Sequence, residues 1–107
     1  MRVRLHPEAR DELRSGALWY EEQREGLGDD FVAEVNATLD RIAGAPQSVP
    51  LWPGATATAV PIRKAMVHRF PYAMAFEEDA DVILVLAVAH ARRRPLYWLA
   101  RAGHDPS

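Results

Sequence analysis

The chain has 107 residues, a net charge of −2 and no cysteine. That length makes one domain over residues 1–107 and excludes two. A domain of this size buries roughly two thirds of its unfolded surface, so it folds without staples. Without cysteine, disulfides and thiolate zinc sites are excluded. The longest apolar run, Val82 to Ala89, falls far short of the ~20 residues of a membrane-spanning helix. Met1 to Leu5 lacks the apolar core of a signal peptide, so a cytoplasmic chain with no membrane partner is expected. Charge is uneven: residues 1–45 carry six basic and ten acidic side chains, residues 46–107 seven and five. An acidic chain is a poor general nucleic-acid binder, because phosphate affinity grows with the number of cations that displace counterions. No direct DNA binding by this chain alone is therefore expected, although Arg92, Arg93 and Arg94 form a local basic patch.

In chain order, residues 2–5 alternate with the period of a short half-buried strand, and His6-Pro7 closes it. Pro7 followed by Glu8, Asp11 and Glu12 starts a helix, since the carboxylates face the positive end of its dipole. Ala9, Leu13, Ala17 and Tyr20 make its buried stripe, with Gly16 a weak point costing about 1 kcal/mol relative to Ala. Residues 25–28 break this helix and Asp29 caps a second, whose stripe is Phe31, Val32, Val35, Leu39 and Ile42. Gly44 suits the left-handed position after the helix and Pro46 stops it. The short Gly-containing link predicts an antiparallel helical hairpin. Residues 46–59 read as a loop, with Leu51 and Trp52 tucked onto the domain. Strands follow over Ile62–Arg69, Tyr72–Glu78 and Val82–Ala89, separated by turns at Phe70-Pro71 and residues 79–81. The last strand shows no alternation, as expected for one covered on both faces. Residues 95–101 form a short C-terminal helix, and residues from about 102 to 107 a frayed tail. The expected fold is α+β, ordered β-α-α-β-β-β, with an antiparallel sheet packed against the helical hairpin.

Among the four histidines, His6, His68, His90 and His104, no metal-binding spacing occurs, and neither a metal nor another cofactor is expected. His6 and His104 read as turn or surface residues. His90 ends the most buried strand and leads into the arginine run, a position that lines a site about as often as it is structural. Glu21-Glu22 and Glu77 to Asp79 read as solvated surface, because sequence neighbours on a helix do not face one another and the second group flanks a turn. Nucleotide-binding and nucleophile-elbow fingerprints are absent. The informative stretch is Val88 to Trp98. Its cations and aromatics can grip phosphate and stack bases, or dock a protein partner. For Tyr97 and Trp98 the alternative is plain packing of the terminal segment onto the sheet.

Three segments together resemble the RelE/ParE toxin superfamily, and in particular its ParE-like, plasmid-stabilisation branch. They are residues 5–31 (with Leu5 to Leu13, Trp19 to Glu22 and Gly26 to Phe31), Val67 to Tyr72, and Val85 to Trp98. The resemblance implies the toxin of a type II toxin–antitoxin pair, neutralised by a cognate antitoxin that wraps the helical hairpin and sheet. In such pairs the antitoxin, not the toxin, contacts the promoter DNA. RelE-like members are ribosome-dependent endoribonucleases acting on mRNA, whereas ParE-like members inhibit DNA gyrase and have no known catalytic residues. Several endoribonuclease members carry Arg after the turn Tyr, where this chain has Ala73 after Tyr72. They also carry a Lys-Arg pair at the end of the last strand, where this chain has His90-Ala91. Both departures point to DNA gyrase as partner and to a protein-binding inhibitor, not an enzyme. On that reading the target-binding surface is Arg92, Arg93, Arg94, Tyr97 and Trp98, with Arg63 and Arg69 as neighbours. The alternative, an endoribonuclease with the ribosome and mRNA as partners, would use His90, Arg93 and Tyr97 as catalytic residues. A further alternative is a non-toxic binding module of the same fold whose target surface has drifted.

Overall fold

The computed structural model describes residues 2–55 and 60–103. Its elements are β1 (Arg2–Leu5), α1 (Pro7–Gln23), α2 (Leu27–Gly44), β2 (Ile62–Met66), β3 (Tyr72–Asp79) and β4 (Val82–His90). Single 3-10 turns cover Pro46–Ser48 and Leu99–Arg101. The α+β class and the β-α-α-β-β-β order are those expected from the sequence. One feature of the sheet differs. Its strand order is β1-β4-β3-β2, and β1 pairs with β4 in parallel, so the sheet is mixed and not wholly antiparallel. The cause lies in the connections. Short turns join β2, β3 and β4 and force them to alternate, whereas both helices separate β1 from its partner and leave its direction free.

Caps show how local chemistry sets the helices. His6 accepts the Glu8 backbone N–H on Nδ1 at 3.2 Å and so caps α1, a structural task for a histidine read as a bystander. The second helix begins at Leu27, two residues before the expected cap at Asp29. Gly26 turns the chain with φ 87°, and the Glu21 carboxylate accepts the N–H groups of Gly26 at 2.9 Å and Gly28 at 3.0 Å. Glu21 is therefore a helix cap and not merely solvated surface. At the other end α2 runs through Gly44, and the break comes at Ala45 with extended φ, so no left-handed glycine is used there.

The sheet is covered on both sides. Helices α1 and α2 bury Ala9, Tyr20, Phe31, Val35 and Ile42 against Met74, Phe76, Ile83, Val85 and Val88. Gly16 is buried at this contact, where an added Cβ would lie 2.9 Å from the Phe31 ring and 3.1 Å from the Tyr72 hydroxyl. It is a point of close approach, and its helix-propensity cost is offset by packing. The opposite face is covered by residues 52–55 and 96–102, which pack Trp98, Trp52 and Leu96 over Ile62, Ala75, Leu84 and Leu86. Residues 50–52 also line the outer edge of β2, through Trp52 N–H to the Ile62 carbonyl at 2.8 Å and Lys64 N–H to the Pro50 carbonyl at 2.9 Å. The loop expected over residues 46–59 thus carries a 3-10 turn and an edge bridge, and its residues 56–59 lie outside the described ones.

Strand β2 ends at Met66, three residues earlier than expected, because Phe70 turns inward. It is 8% exposed and stacks edge-on against Tyr20 and Phe31. The β3–β4 turn holds Ala80 at φ 56°. A Cβ is strained in that region and glycine is not, so Ala80→Gly should raise stability by roughly 0.5–1 kcal/mol in urea denaturation.

A slip in the β3–β4 register has wider consequences. Ala75 pairs with Ala87 but Phe76 with Val85, so Leu86 is bulged. Consecutive residues Leu86 and Ala87 both join the outer layer, while Val88 returns to the helix side. Every residue beyond the bulge is thereby turned to the face opposite the one strict alternation would give it, His90 included.

Candidate functional site

Strands β3 and β4 finish side by side at the Tyr72–His90 pair. Ala91 N–H bonds the Pro71 carbonyl at 2.8 Å, Arg93 N–H bonds the His90 carbonyl at 3.0 Å, and Leu96 takes φ 59°. These three features fold residues 91–97 back over the outer face of the sheet. The fold-back leaves a groove of about 260 Å³ between the C-terminal segment and the ends of β2 and β3. Lys64, Met66, Arg93, Arg94 and Tyr97 are among its walls, and none of the described residues lining it is acidic. In an acidic chain this is a concentrated positive surface, suited to an anionic group or an acidic protein patch.

The expected site residues separate in space. Arg93 and Arg94 line the groove, and Arg92 sits exposed beside them. Arg93 lies over the Tyr97 ring, its guanidinium carbon 4.0 Å from the centroid. Trp98 lines the groove only from within: it is 1% exposed and packs edge-on against Trp52 at 4.9 Å, as core. Arg63 does not reach the groove: it donates to the Val49 carbonyl at 2.6 Å, while the groove is lined by its neighbour Lys64. Adjacent strand residues face opposite sides, so Lys64 takes the place expected for Arg63. Its ammonium lies over the Trp52 ring at 5.0 Å. Arg69 is in the β2–β3 connection and pairs with Asp30 at 3.7 Å, also away from the groove.

His90 contacts the Tyr72 ring edge-on at 5.0 Å, and its Nδ1 accepts the Arg92 backbone N–H at 3.0 Å. That bond selects the tautomer protonated on Nε2, leaving no ring lone pair free to act as a base. With Arg93, Ser15 and Tyr72 it also lines a second hollow of about 210 Å³ beside α1, where Asp11 and Glu12 contribute acid groups.

The residues missed by sequence reasoning are Glu12 and Arg101. The Glu12 carboxylate accepts from Val88 N–H at 3.0 Å, Tyr97 hydroxyl at 2.5 Å, and Arg101 at 3.1 and 3.3 Å. Arg101 also donates to the Leu86 carbonyl at 2.9 Å and pairs with Glu8 at 2.9 Å. Strand β1 pairs only as far as Val85, so β4 extends beyond its neighbour. Glu12 and Arg101 occupy the backbone groups of Leu86 and Val88 just past that point and do the work of the absent strand. Burial opposes the Arg101 charge, yet the Glu12 hydrogen bonds and charge, with Glu8 behind them, hold it more firmly protonated. The one signal in the sequence was the i, i+4 spacing of Glu8 and Glu12, which puts both carboxylates on one helix face. Of the tail expected to fray from about residue 102, Gly103 is held, its N–H bonding the Glu77 carboxylate at 2.9 Å, and residues 104–107, His104 among them, lie outside the described ones. Among the described residues, no cluster of histidine and carboxylate side chains could hold a metal ion.

A family model described as the ParE toxin of the type II toxin–antitoxin system parDE matches residues 3–95. The chain belongs to that family. A solved structure, "Chromosomal ParDE TA system from P. aeruginosa", is similar to it with a TM-score of 0.62 at 14% identity. The alignment covers 86% of this chain and 97% of that one, a likeness of fold. No curated protein matches the sequence. The stretch matched to the ParE family includes Glu12, His90 and all three consecutive arginines, and it stops short of Tyr97, Trp98 and Arg101. No helix among the described residues of this ParE-family chain is long and apolar enough to cross a membrane.

The three tyrosines make the stability of this family member pH-sensitive at the alkaline end. Burial pushes the Tyr97 phenol well above its ordinary value, and the hydrogen bond to Glu12 adds to the rise. Burial also raises Tyr72 and Tyr20. A raised folded-state value means the folded chain keeps the proton after the unfolded chain has lost it. The stabilisation is thus complete below about pH 10, the unfolded value, and is lost as pH rises toward the folded one. Urea midpoints should fall from about pH 9 to about pH 11, and Tyr97→Phe should flatten that fall.

Proposed function

We propose that this ParE-family chain is the toxin of a type II pair, neutralised by a cognate antitoxin, and that it arrests growth by binding and inhibiting DNA gyrase. The observation that carries the choice of mechanism is the state of the groups an RNA-cutting site would need. Activating an RNA 2′-hydroxyl requires a general base with a free lone pair within reach of the substrate. His90 Nδ1 is already an acceptor for Arg92 N–H, and the Tyr97 hydroxyl is already a donor to Glu12. Arg93 and Arg94, by contrast, stand in an acid-free groove, the arrangement of a docking surface built on arginine and an aromatic. Gyrase inhibition requires a cytoplasmic toxin. Antitoxin docking on the helical hairpin is supported by Leu18 and Trp19 on the outer side of α1, 66% and 57% exposed, as anchor points for an apolar segment.

Purified protein added to a gyrase supercoiling reaction tests the mechanism, with co-expression of the adjacent antitoxin gene testing neutralisation. The expected result is lost supercoiling, filamentous growth arrest and a DNA damage response, all reversed by the antitoxin. Arrest with cleaved transcripts, abolished by His90→Ala, would replace this reading with the endoribonuclease one. No arrest and no gyrase inhibition would mean a drifted binding module.

A further inference from the structure

We infer that Glu12 is a positioning residue for the target-facing surface, acting through Tyr97 on Arg93. The inference rests on the reading that Arg93 meets the target. Glu12 lies on α1, and Tyr97 is 85 residues away in sequence, yet its hydroxyl reaches the carboxylate at 2.5 Å. That bond anchors the hydroxyl end of the phenol ring and so fixes where the ring lies. Arg93 then rests on the ring at 4.0 Å, with Arg101 at 5.3 Å from the same centroid.

The carboxylate itself is rigid. Its side chain is 14% exposed and that of Arg101 13%, and Arg101 grips both oxygens while Val88 N–H holds one of them. A forked guanidinium–carboxylate pair with a third and a fourth donor has little freedom to rotate. Order therefore passes from the end of β4 to Glu12, from Glu12 to the Tyr97 ring, and from the ring to the Arg93 guanidinium. Among the described residues, Arg92 and Arg94 have no comparable side-chain partner. Arg93 is thus the one member of the run whose side chain is ordered before any target arrives. Immobilising a long side chain on binding costs affinity, and an arginine already held in place avoids that loss.

The test uses Tyr97→Phe and Glu12→Gln in the full chain, with Arg93→Ala as reference. Tyr97→Phe keeps the ring and leaves the Glu12–Arg101 pair intact, so it carries the test even where Glu12→Gln unfolds. NMR reads the upfield ring-current displacement of the Arg93 δ-protons, and amide exchange confirms that β3 and β4 stay protected. Both folded variants are expected to lose most of that displacement and to inhibit about tenfold more weakly, the effect of one side chain set free. Unchanged Arg93 signals in Tyr97→Phe would overturn the inference whatever happens to toxicity. Altered signals together with a fully toxic Arg93→Ala would instead overturn the reading of Arg93 as target-facing.

Discussion

Replacing Trp98 with alanine should destabilise the protein by about 3–5 kcal/mol, the usual range for deleting a buried tryptophan side chain. The outer face of the sheet has no helix of its own. It is roofed by residues 52–55 and 96–102, and Trp98 is the largest fully buried side chain in that roof. Removing it exposes Ile62, Leu84 and Leu86 and deprives Trp52 of its edge-on partner. The roof also contains Tyr97 and leads to Arg101, so loosening it disturbs their bonds to Glu12. Urea denaturation of Trp98→Ala against the parent measures the loss. A variant that melts normally and is merely non-toxic would make Trp98 a contact residue, contrary to its 1% exposure.

Alanine at Arg92, Arg93 and Arg94 together should abolish growth arrest while leaving the melting temperature nearly unchanged. All three are exposed, and exposed substitutions typically shift stability by less than about 0.5 kcal/mol each. An arginine at the centre of an interface is worth ~2 kcal/mol or more, so losing three should weaken target binding by a hundredfold or more. Equal toxicity in the triple variant would remove the groove from the target surface. Arg63→Ala supplies the contrast. Its bond to the Val49 carbonyl holds the segment before β2, so it should cost about 1 kcal/mol of stability and leave toxicity intact.

Much of this molecule was legible without coordinates where the signal is local. Pro7 with its acidic neighbours announced the first helix, and the stripe from Phe31 to Ile42 announced the buried side of the second. The unbroken apolar run from Val82 to Ala89 announced a strand covered on both faces, as it is. That same uniformity concealed the bulge at Leu86, because a strand with no polar residue carries no record of which side each residue faces. The arginine run was visible in composition. Its division into a ring-stacked Arg93 and the unstacked Arg92 and Arg94 was not, since it depends on a tyrosine held from another element.

Element order and fold class follow from the sequence by itself, because periodicity, caps and turn residues act over a few positions, and family membership follows from the segments that carry the resemblance. The tertiary structure alone decided the parallel pairing of β1, the exchange of Lys64 for Arg63 at the groove, and the burial of Trp98. It alone brought Glu12 to Val88, Tyr97 and Arg101. The physical reason is common to all four. Each depends on which backbone groups and faces remain unoccupied once distant segments have met, and a carboxylate on the first helix cannot record that β1 ends opposite Val85 while β4 runs on to His90.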